Sequence, residues 1–250
     1  MFLLPPFTIH HFASLGSTSD YLKTMLDAPE FTCVTADEQT AGRGRRDRAW
    51  HSVAGEGLYL SVLLRPEIAA EKIPLLSLMT AIAVAETIIQ LAALSVDIKW
   101  PNDVLVNDHK VGGILIESTS THHEPPRVII GIGVNLNHQT FPAELAETAT
   151  SLKIATGENF AVTIFRDCLL DRIAFWYEEL RAQREHKILS RWQELSTYAF
   201  GKQVIMIFDH EEISGETAGL NKSGALMLKT AAGKIITILA GEIKHLRQAS

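Results

Sequence analysis

QTAGRGRRDRAWHSVAGEG, residues 39–57, places four glycines and four arginines between two runs of strand-forming residues. So many glycines with so little apolar content are typical of a long loop. Thr32–Asp37 precedes the stretch and Leu58–Leu64 follows it, and their Val, Thr, Leu and Tyr content favours β-strands. The sequence therefore predicts a long loop between two strands, and residues 39–57 are called the glycine loop below.

The glycine loop has the composition of an anion site. Glycines let a ligand approach the backbone N–H groups, and arginines offer paired donors to phosphate or carboxylate. Trp50 offers a flat face on which an aromatic base could stack. The loop has no GxxxxGK[ST] motif and no GxGxxG at a strand-to-helix turn, so a P-loop is excluded and a dinucleotide site is disfavoured. These parts suit a nucleotide, although a solvated or RNA-binding basic loop has the same composition.

A second motif, KWPND at residues 99–103, closes a short apolar run that begins at Val96. This run predicts a strand that Pro101 ends. A lysine at the end of a buried strand is costly unless it meets a ligand or a partner, so Lys99 is a candidate to bind an anion. Asp103 could orient a lysine or accept a proton.

Two further motifs contain glycines inside predicted strands. GGILIE at residues 112–117 follows Lys110, and GIGVNLN lies at residues 131–137. Glycines within a strand indicate either a β-bulge or a group that lies close against the backbone. Asn135 could hydrogen-bond a ligand there.

The remaining pattern predicts a large domain and a small one. A capped helix is expected to start at Ser17–Asp20. Further helices are predicted over Ile73–Leu94, Ser151–Thr156, Val162–Arg184 and Ile188–Ser196, with a hairpin at residues 103–107 and 110–117 and a strand at Arg127–Asn135. After Gly201 short strands are predicted at Val204–Phe208, Ile213–Gly219, Ala225–Lys229, Ile235–Leu239 and Ile243–Leu246. This change of pattern predicts a domain over residues 1–200 and a small β-barrel over residues 201–250.

Composition narrows the functional classes. The 250-residue chain has a net charge of −6, which disfavours nucleic-acid binding, because such domains are usually basic. The two cysteines, Cys33 and Cys168, lack metal-ligand spacing and are expected to be reduced thiols. The N-terminus has no basic n-region, so no signal peptide is predicted. Glu86 lies within the most apolar run and favours a buried core helix over a membrane span.

In this order, GRGRRxRxW, KWPND, GGILIE and GIGVNLN resemble the motifs of biotin protein ligases. The resemblance extends from Ser14 to Arg247. It implies an α/β catalytic domain with a mixed sheet, followed by a small C-terminal SH3-like β-barrel. Some members of this family add an N-terminal winged helix-turn-helix and repress the biotin operon. Because the pattern begins at Ser17, the resemblance implies the ligase-only form, with no DNA partner.

The resemblance also implies a role for each motif residue. Those expected at biotin are Ser17, Thr18, Ser19, Gln39, Gly42, Arg43, Gly44, Arg45, Lys99 and Gly113. Those expected at ATP or the adenylate are Arg46, Arg48, Trp50, Asn102 and Asn135. Those expected to be catalytic are Arg45, Lys99, Asp103 and Lys110, and no metal ligand is assigned. Ser19 stands where the family usually has asparagine and Asp47 where glycine is common, which leaves the effect of these two positions open.

The implied activity is the formation of biotinoyl-5′-AMP, followed by transfer of biotin to a lysine of the biotin carboxyl carrier protein of acetyl-CoA carboxylase. ATP and biotin are the implied substrates, with Mg²⁺ as cofactor, in the cytoplasm and without a membrane partner. Some relatives dimerise by extending the sheet, and the β-rich pattern is compatible with a homodimer. Two alternatives stay open: a lipoate or octanoate protein ligase of the same fold, and a nucleic-acid-binding regulator.

Overall fold

The computed structural model describes residues 7–119, 126–208, 211–239 and 242–244. Within these ranges the chain forms two sheets and five α-helices. In chain order the elements are β1 (Thr8–Leu15), α1 (Thr18–Thr24), β2 (Thr32–Gln39), β3 (Gly57–Leu64), α2 (Pro74–Ala92), β4 (Asp97–Lys99), β5 (Asp103–Val106), β6 (His109–Thr119), β7 (Arg127–Asn135), α3 (Leu152–Thr156), α4 (Val162–Arg181), α5 (Glu185–Glu194), β8 (Phe200–Phe208), β9 (Glu211–Leu220), β10 (Leu226–Lys229), β11 (Ile235–Ile238) and β12 (Glu242–Lys244).

The large sheet is mixed, as predicted. Its strand order is β1-β2-β3-β7-β6-β5-β4; β1 runs parallel to β2, and the other neighbours are antiparallel. Strand β1 was not predicted from the sequence pattern. This strand lies at the sheet edge and none of its residues is fully buried. An edge strand with few buried side chains has little apolar alternation, and backbone pairing with β2 holds it in place instead.

Helices cover both faces of the large sheet. Every residue of β3 is buried, which explains its continuous apolar sequence. On one face α2 and α4 pack together above the sheet. On the other face α1 packs against β2, β3 and β7, and Leu22 joins Val34, Leu63 and Ile129 in a second apolar cluster. The N-terminal end of α1 is thereby fixed at the end of the sheet.

Helix α2 is long and apolar enough to cross a bilayer by length and composition, but 67% of its most apolar window is buried inside the protein. Glu86 on this helix accepts hydrogen bonds from Arg172 at 2.9 Å, Arg191 at 2.9 Å and Trp176 Nε1 at 3.1 Å. A carboxylate with three donors from α4 and α5 is satisfied by protein. The structure therefore confirms the prediction of a core helix.

Local signals set several element ends. Ser17 is the N-cap of α1, and its side chain accepts a hydrogen bond from the Asp20 amide. Ser151 caps α3 in the same way, and Gly157 ends that helix at φ +80°. The hairpin between β5 and β6 turns at Asn107 and Asp108, both with positive φ, as predicted.

The small sheet is antiparallel with the order β11-β10-β9-β8-β12, which agrees with the predicted C-terminal β-domain. Of the last predicted strand, Ile243 lies in β12, whereas Leu246 and the end of the motif pattern at Arg247 lie outside the described residues. Trp100 Nε1 donates to the carbonyl of Gly224 at 3.0 Å. This bond attaches the small sheet beside the KWPND motif.

Candidate functional site

A cavity of about 780 Å³ opens between the large sheet, the glycine loop and the small sheet. It is lined by the N-terminal end of α1, the KWPND motif, the middle of β6 and β7, residues 141–149, and Lys202 and Ile243 of the small sheet. Every site residue predicted from the sequence lines this cavity except Gly42. The fold therefore brings together motifs that are separated by more than a hundred positions in the chain.

One end of the cavity is lined by buried hydroxyl groups. Ser17, Thr18 and Ser19 are 6%, 3% and 6% exposed. Thr18 Oγ1 lies 3.1 Å from Gln39 Oε1, and Ser19 Oγ lies 2.8 Å from Ser61 Oγ. This end can hydrogen-bond a small polar ring while it excludes water.

The glycine loop folds back on itself over the cavity. The Gly44 amide donates to the Arg48 carbonyl at 2.7 Å, and the Trp50 amide donates to the Gly42 carbonyl at 2.9 Å. Arg45 Nη1 donates to Asn102 Oδ1 at 3.3 Å, and Arg46 Nη2 donates to the Ile207 carbonyl of β8 at 3.2 Å. The loop therefore connects the KWPND motif to the small sheet.

Arg43 extends to the flank of the cavity. Its guanidinium lies 2.5 Å from Asp20 Oδ1 and 3.0 Å from both oxygens of Glu117. Lys23 contacts the same two carboxylates, at 3.0 and 2.8 Å. The four charges alternate in sign and tie the loop to α1 and β6.

Gly42 lies behind the cavity wall and does not line it. A Cβ at this position would lie 2.8 Å from both Ser52 Oγ and the Trp50 carbonyl oxygen. Its lack of a side chain therefore permits the loop to close on itself, because any larger residue would push these groups apart.

Trp50 packs against β6 and β7, the two strands that contain the motif glycines. Gly113 and Gly133 are cross-strand partners in β6 and β7, and a Cβ on either would crowd the indole ring. Lys110 Nζ lies 5.4 Å from the centroid of the ring. The glycines thus admit an aromatic side chain, whose ring forms part of the cavity lining.

Three lysines, Lys99, Lys110 and Lys202, also line the cavity. Lys110 Nζ lies 2.6 Å from Asp103 Oδ1. Lys99 Nζ lies 5.9 Å from the ring of Tyr198, and Lys202 Nζ lies 3.7 Å from the same ring. Together with the loop arginines these cations favour an anionic ligand.

Sequence models of two domains match this chain. The biotin/lipoate A/B protein ligase family matches residues 12–135, and the biotin protein ligase C terminal domain matches residues 199–246. The chain is 35% identical over 216 residues to the biotin--[acetyl-CoA-carboxylase] ligase of Paracoccus denitrificans, with 84% of this chain and 88% of that protein covered. The chain belongs to the biotin protein ligase family.

Other members of the family include bifunctional ligase/repressor proteins. The chain is 40% identical over 212 residues to the one of Bacillus subtilis and 33% identical over 237 residues to that of Escherichia coli; these matches cover 83% and 92% of this chain. It spans 64% of the length of the curated Bacillus relatives that it matches and 71% of the E. coli protein. The solved biotin protein ligase of Aquifex aeolicus in complex with biotin and ATP superposes with a TM-score of 0.81 at 30% identity, covering 95% of this chain and 97% of that one. These findings confirm the predicted family and fold.

Residues 138–149 contribute to the site, although none of the four sequence motifs includes them. Phe141 lines the cavity, and its ring stacks on the buried His138 at a centroid distance of 5.0 Å. Burial, together with the neighbouring His51, lowers the pKa of His138 to about 4, so the imidazole is neutral at pH 7. Asn135 lines the cavity too, but its amide donates to the Thr150 carbonyl at 3.0 Å and holds this segment.

The site has no cluster of metal-ligating side chains in the part of the chain that the structure describes. No group of three or more His, Cys, Asp or Glu side chains there is placed so that it could hold a metal ion. Both cysteines are unbridged, and burial raises the pKa of the Cys33 thiol to about 12, which makes it inert at neutral pH.

Proposed function

We propose that the chain is an ATP-dependent ligase that activates biotin as biotinoyl-5′-AMP and transfers biotin to a lysine of a biotin carboxyl carrier protein. The observation that carries the proposal is the single cavity that joins a buried, hydroxyl-lined end to a cation-lined side. The first suits the ureido ring of biotin, and the second suits a carboxylate beside a triphosphate. The names of the relatives and the biotin and ATP bound by the Aquifex protein support it.

The cations of the cavity would lower the electrostatic repulsion between the two substrates when biotin reacts with ATP. The carboxylate of biotin and the phosphates of ATP repel each other, and the repulsion grows as water leaves the site. Lys99 and the arginines Arg45, Arg46 and Arg48 would offset it. The carboxylate oxygen then attacks the α-phosphorus, its new P–O bond replaces the bond to the β-phosphate oxygen, and pyrophosphate leaves with that electron pair.

The remaining roles follow from position in the cavity. Trp50 would pack on adenine, with Asn102 and Asn135 nearby. In the second step an uncharged acceptor amine attacks the acyl carbon and AMP leaves. Asp103 would accept the proton that the amine loses, and its ion pair with Lys110 would hold the carboxylate in place. We assign the biotin group to Ser17, Thr18, Ser19, Gln39, Arg43, Gly44, Arg45, Lys99 and Gly113, whereas Gly42, behind the cavity wall, would act only by letting the loop close.

Closure of the site protects the intermediate. A mixed anhydride is hydrolysed readily, so the glycine loop, held by Asn102, the Ile207 carbonyl and the charges around Arg43, would keep water away. A Mg²⁺ ion that accompanies ATP would screen the phosphates. Because the described residues offer no three-ligand cluster, phosphate oxygens and water would supply most of its ligands.

Pyrophosphate exchange into ATP tests the activity. We expect exchange that requires biotin and is abolished by Lys99→Gln, whereas Lys229→Gln, an exposed lysine of β10 outside the cavity, leaves it unchanged. Exchange that requires lipoate instead would favour the related lipoate ligase activity. Folded protein that supports exchange with neither acid would contradict the proposal.

The partner assignments belong to the same proposal. We infer that the ligase does not bind DNA, because its net charge is −6. We also infer that it works in the cytoplasm and that it can form a homodimer. We also propose that residues 1–200 and 201–250 are its two domains. Salt-dependent binding to duplex DNA at physiological ionic strength would contradict the first inference, and light scattering of the purified protein decides the oligomeric state.

A further inference from the structure

A chain of hydrogen bonds runs behind the hydroxyl-lined end of the cavity. Ser61 of β3 is completely buried, and its Oγ lies 2.8 Å from both Thr18 Oγ1 and Ser19 Oγ. Thr18 Oγ1 continues to Gln39 Oε1, at 3.1 Å. Gln39 Nε2 continues to Ser52 Oγ at 3.1 Å, which lies 3.1 Å from the Trp50 carbonyl oxygen.

The orientation of the Gln39 amide is fixed at both of its ends. The backbone amide of Thr18 can only donate, and its partner at 2.9 Å must therefore be the oxygen of Gln39. At the other end the Trp50 carbonyl can only accept, so Ser52 donates its one proton to it and accepts from Gln39 Nε2. The two ends require the same orientation.

The direction of every hydroxyl proton follows. Because Gln39 Oε1 only accepts, the Thr18 hydroxyl donates to it. Thr18 then has no proton left and accepts from Ser61, and Ser61 in turn accepts from Ser19. Toward the cavity, Thr18 and Ser19 can offer only lone pairs. The Ser17 oxygen, in contrast, accepts from the Asp20 amide at 3.3 Å, which leaves its proton available to a ligand.

We propose that Ser61 is a specificity-determining residue, because it fixes Thr18 and Ser19 as acceptors while Ser17 acts as a donor. This inference rests on the proposed function. The ureido ring of biotin carries two N–H donors on either side of one carbonyl acceptor, which is the complementary pattern. The dithiolane ring of lipoate has no N–H and would leave two buried acceptors without partners, a large penalty in a site built for hydrogen bonds.

The packing around the chain keeps these side chains in place. A Cβ at Gly131 would lie 2.8 Å from Ser19 Oγ, so a glycine in β7 is what admits this hydroxyl. A Cβ at Gly42 would lie 2.8 Å from Ser52 Oγ and 3.0 Å from Gln39 Nε2. Both glycines thus permit bonds of this chain, and a shorter serine in place of the family's asparagine at position 19 reaches Ser61 directly.

Calorimetric titration with two ligands tests the proposal. The first ligand is biotin and the second is a biotin carbamate in which one ureido N–H is replaced by oxygen, which turns a donor into an acceptor at nearly constant shape. For the unmodified protein we expect the carbamate to bind roughly 10- to 100-fold more weakly. In Ser61→Ala the Ser19 hydroxyl can direct its proton into the cavity, so biotin should bind roughly tenfold more weakly while the affinity for the carbamate is not reduced. The ratio of the dissociation constant of the carbamate to that of biotin should therefore become smaller than in the unmodified protein.

Two variants complete the design. Thr87→Val removes a buried hydroxyl that bonds only the Ala83 carbonyl of α2, and it should leave the ratio unchanged. If Ser61→Ala does not fold, Ser19→Ala removes one of the acceptors directly and should narrow the ratio in the same way. A folded Ser61→Ala protein that weakens both ligands equally would show a merely structural role and overturn the proposal.

The outcomes separate this proposal from the function on which it rests. Equal binding of biotin and the carbamate by the unmodified protein would overturn the donor pattern, while biotin-dependent pyrophosphate exchange would still support the ligase activity. Absence of biotin binding would refute the proposed function and the role of Ser61 together.

Discussion

Gly133→Ala tests whether the indole of Trp50 forms the nucleotide side of the cavity. A methyl group at this position would lie 2.6 Å from Trp50 Cζ2, and nearer still to Cε2 and Nε1. Carbon atoms in contact lie about 3.5–4.0 Å apart, so the ring must move by about 1 Å or more. Stacking of a base on an aromatic side chain is worth about 1–3 kcal/mol, and its loss would raise the KM for ATP roughly 5- to 150-fold.

The control for this variant lies on the neighbouring strand. A methyl group at Gly112 would lie 3.4 Å from the Gly133 carbonyl oxygen and 3.6 Å from Val84 and Val104, which are tolerable contacts. We expect Gly112→Ala to change the KM for ATP by less than about threefold, whereas both variants keep the affinity for biotin. The assay is pyrophosphate exchange as a function of ATP, with calorimetry for biotin. An unchanged KM for ATP in Gly133→Ala would refute the placement of adenine on Trp50.

Three further predictions follow from packing and charge. Glu86→Gln leaves two arginines of α4 and α5 without their carboxylate and should lower the free energy of unfolding by about 1–3 kcal/mol in urea titration, with little effect on the KM for ATP or biotin. Because the pKa of His138 is lowered to about 4 in the folded protein, only the unfolded chain binds a proton at this residue between about pH 4 and pH 6.5. The free energy of unfolding should therefore fall as the pH falls through this window, by up to about 3 kcal/mol. The variant His138→Phe should show a weaker dependence of the free energy of unfolding on pH. Gly42→Ala would separate Ser52 from Gln39 and should weaken biotin binding roughly tenfold in calorimetry; wild-type affinity would contradict the role given to this glycine.

Much of the fold could be predicted because its signals are local. The cap at Ser17, the turn at Asn107–Asp108 and the stop at Gly157 each depend on a few consecutive residues. Strand β1 escaped prediction because its stability comes from backbone pairing with β2, which a sequence pattern does not display.

The site was predictable as a set of residues more than as a set of contacts. Every predicted site residue except Gly42 lines the cavity, whereas the lining residues within 141–149, together with Lys202 and Ile243, belong to no motif. The motifs do not show that the Arg43 side chain is bound by Asp20 and Glu117, or that Ser61 connects Thr18 to Ser19. Those contacts join positions 23 to 74 residues apart and exist only once the sheet is assembled.

The parallel pairing of β1 with β2 sets the position of the hydroxyl-lined end of the cavity. Leu15 at the end of β1 is opposite Gln39 at the end of β2, and for this reason the amide of Thr18, which follows shortly after Leu15 in the chain, reaches the Gln39 oxygen. Deleting one residue from β1 would slip this register, turn its side chains to the opposite face and move α1 away from Gln39. The strand with the weakest sequence pattern thus determines where α1 begins relative to Gln39, and with it the position of the hydroxyl-lined end of the cavity.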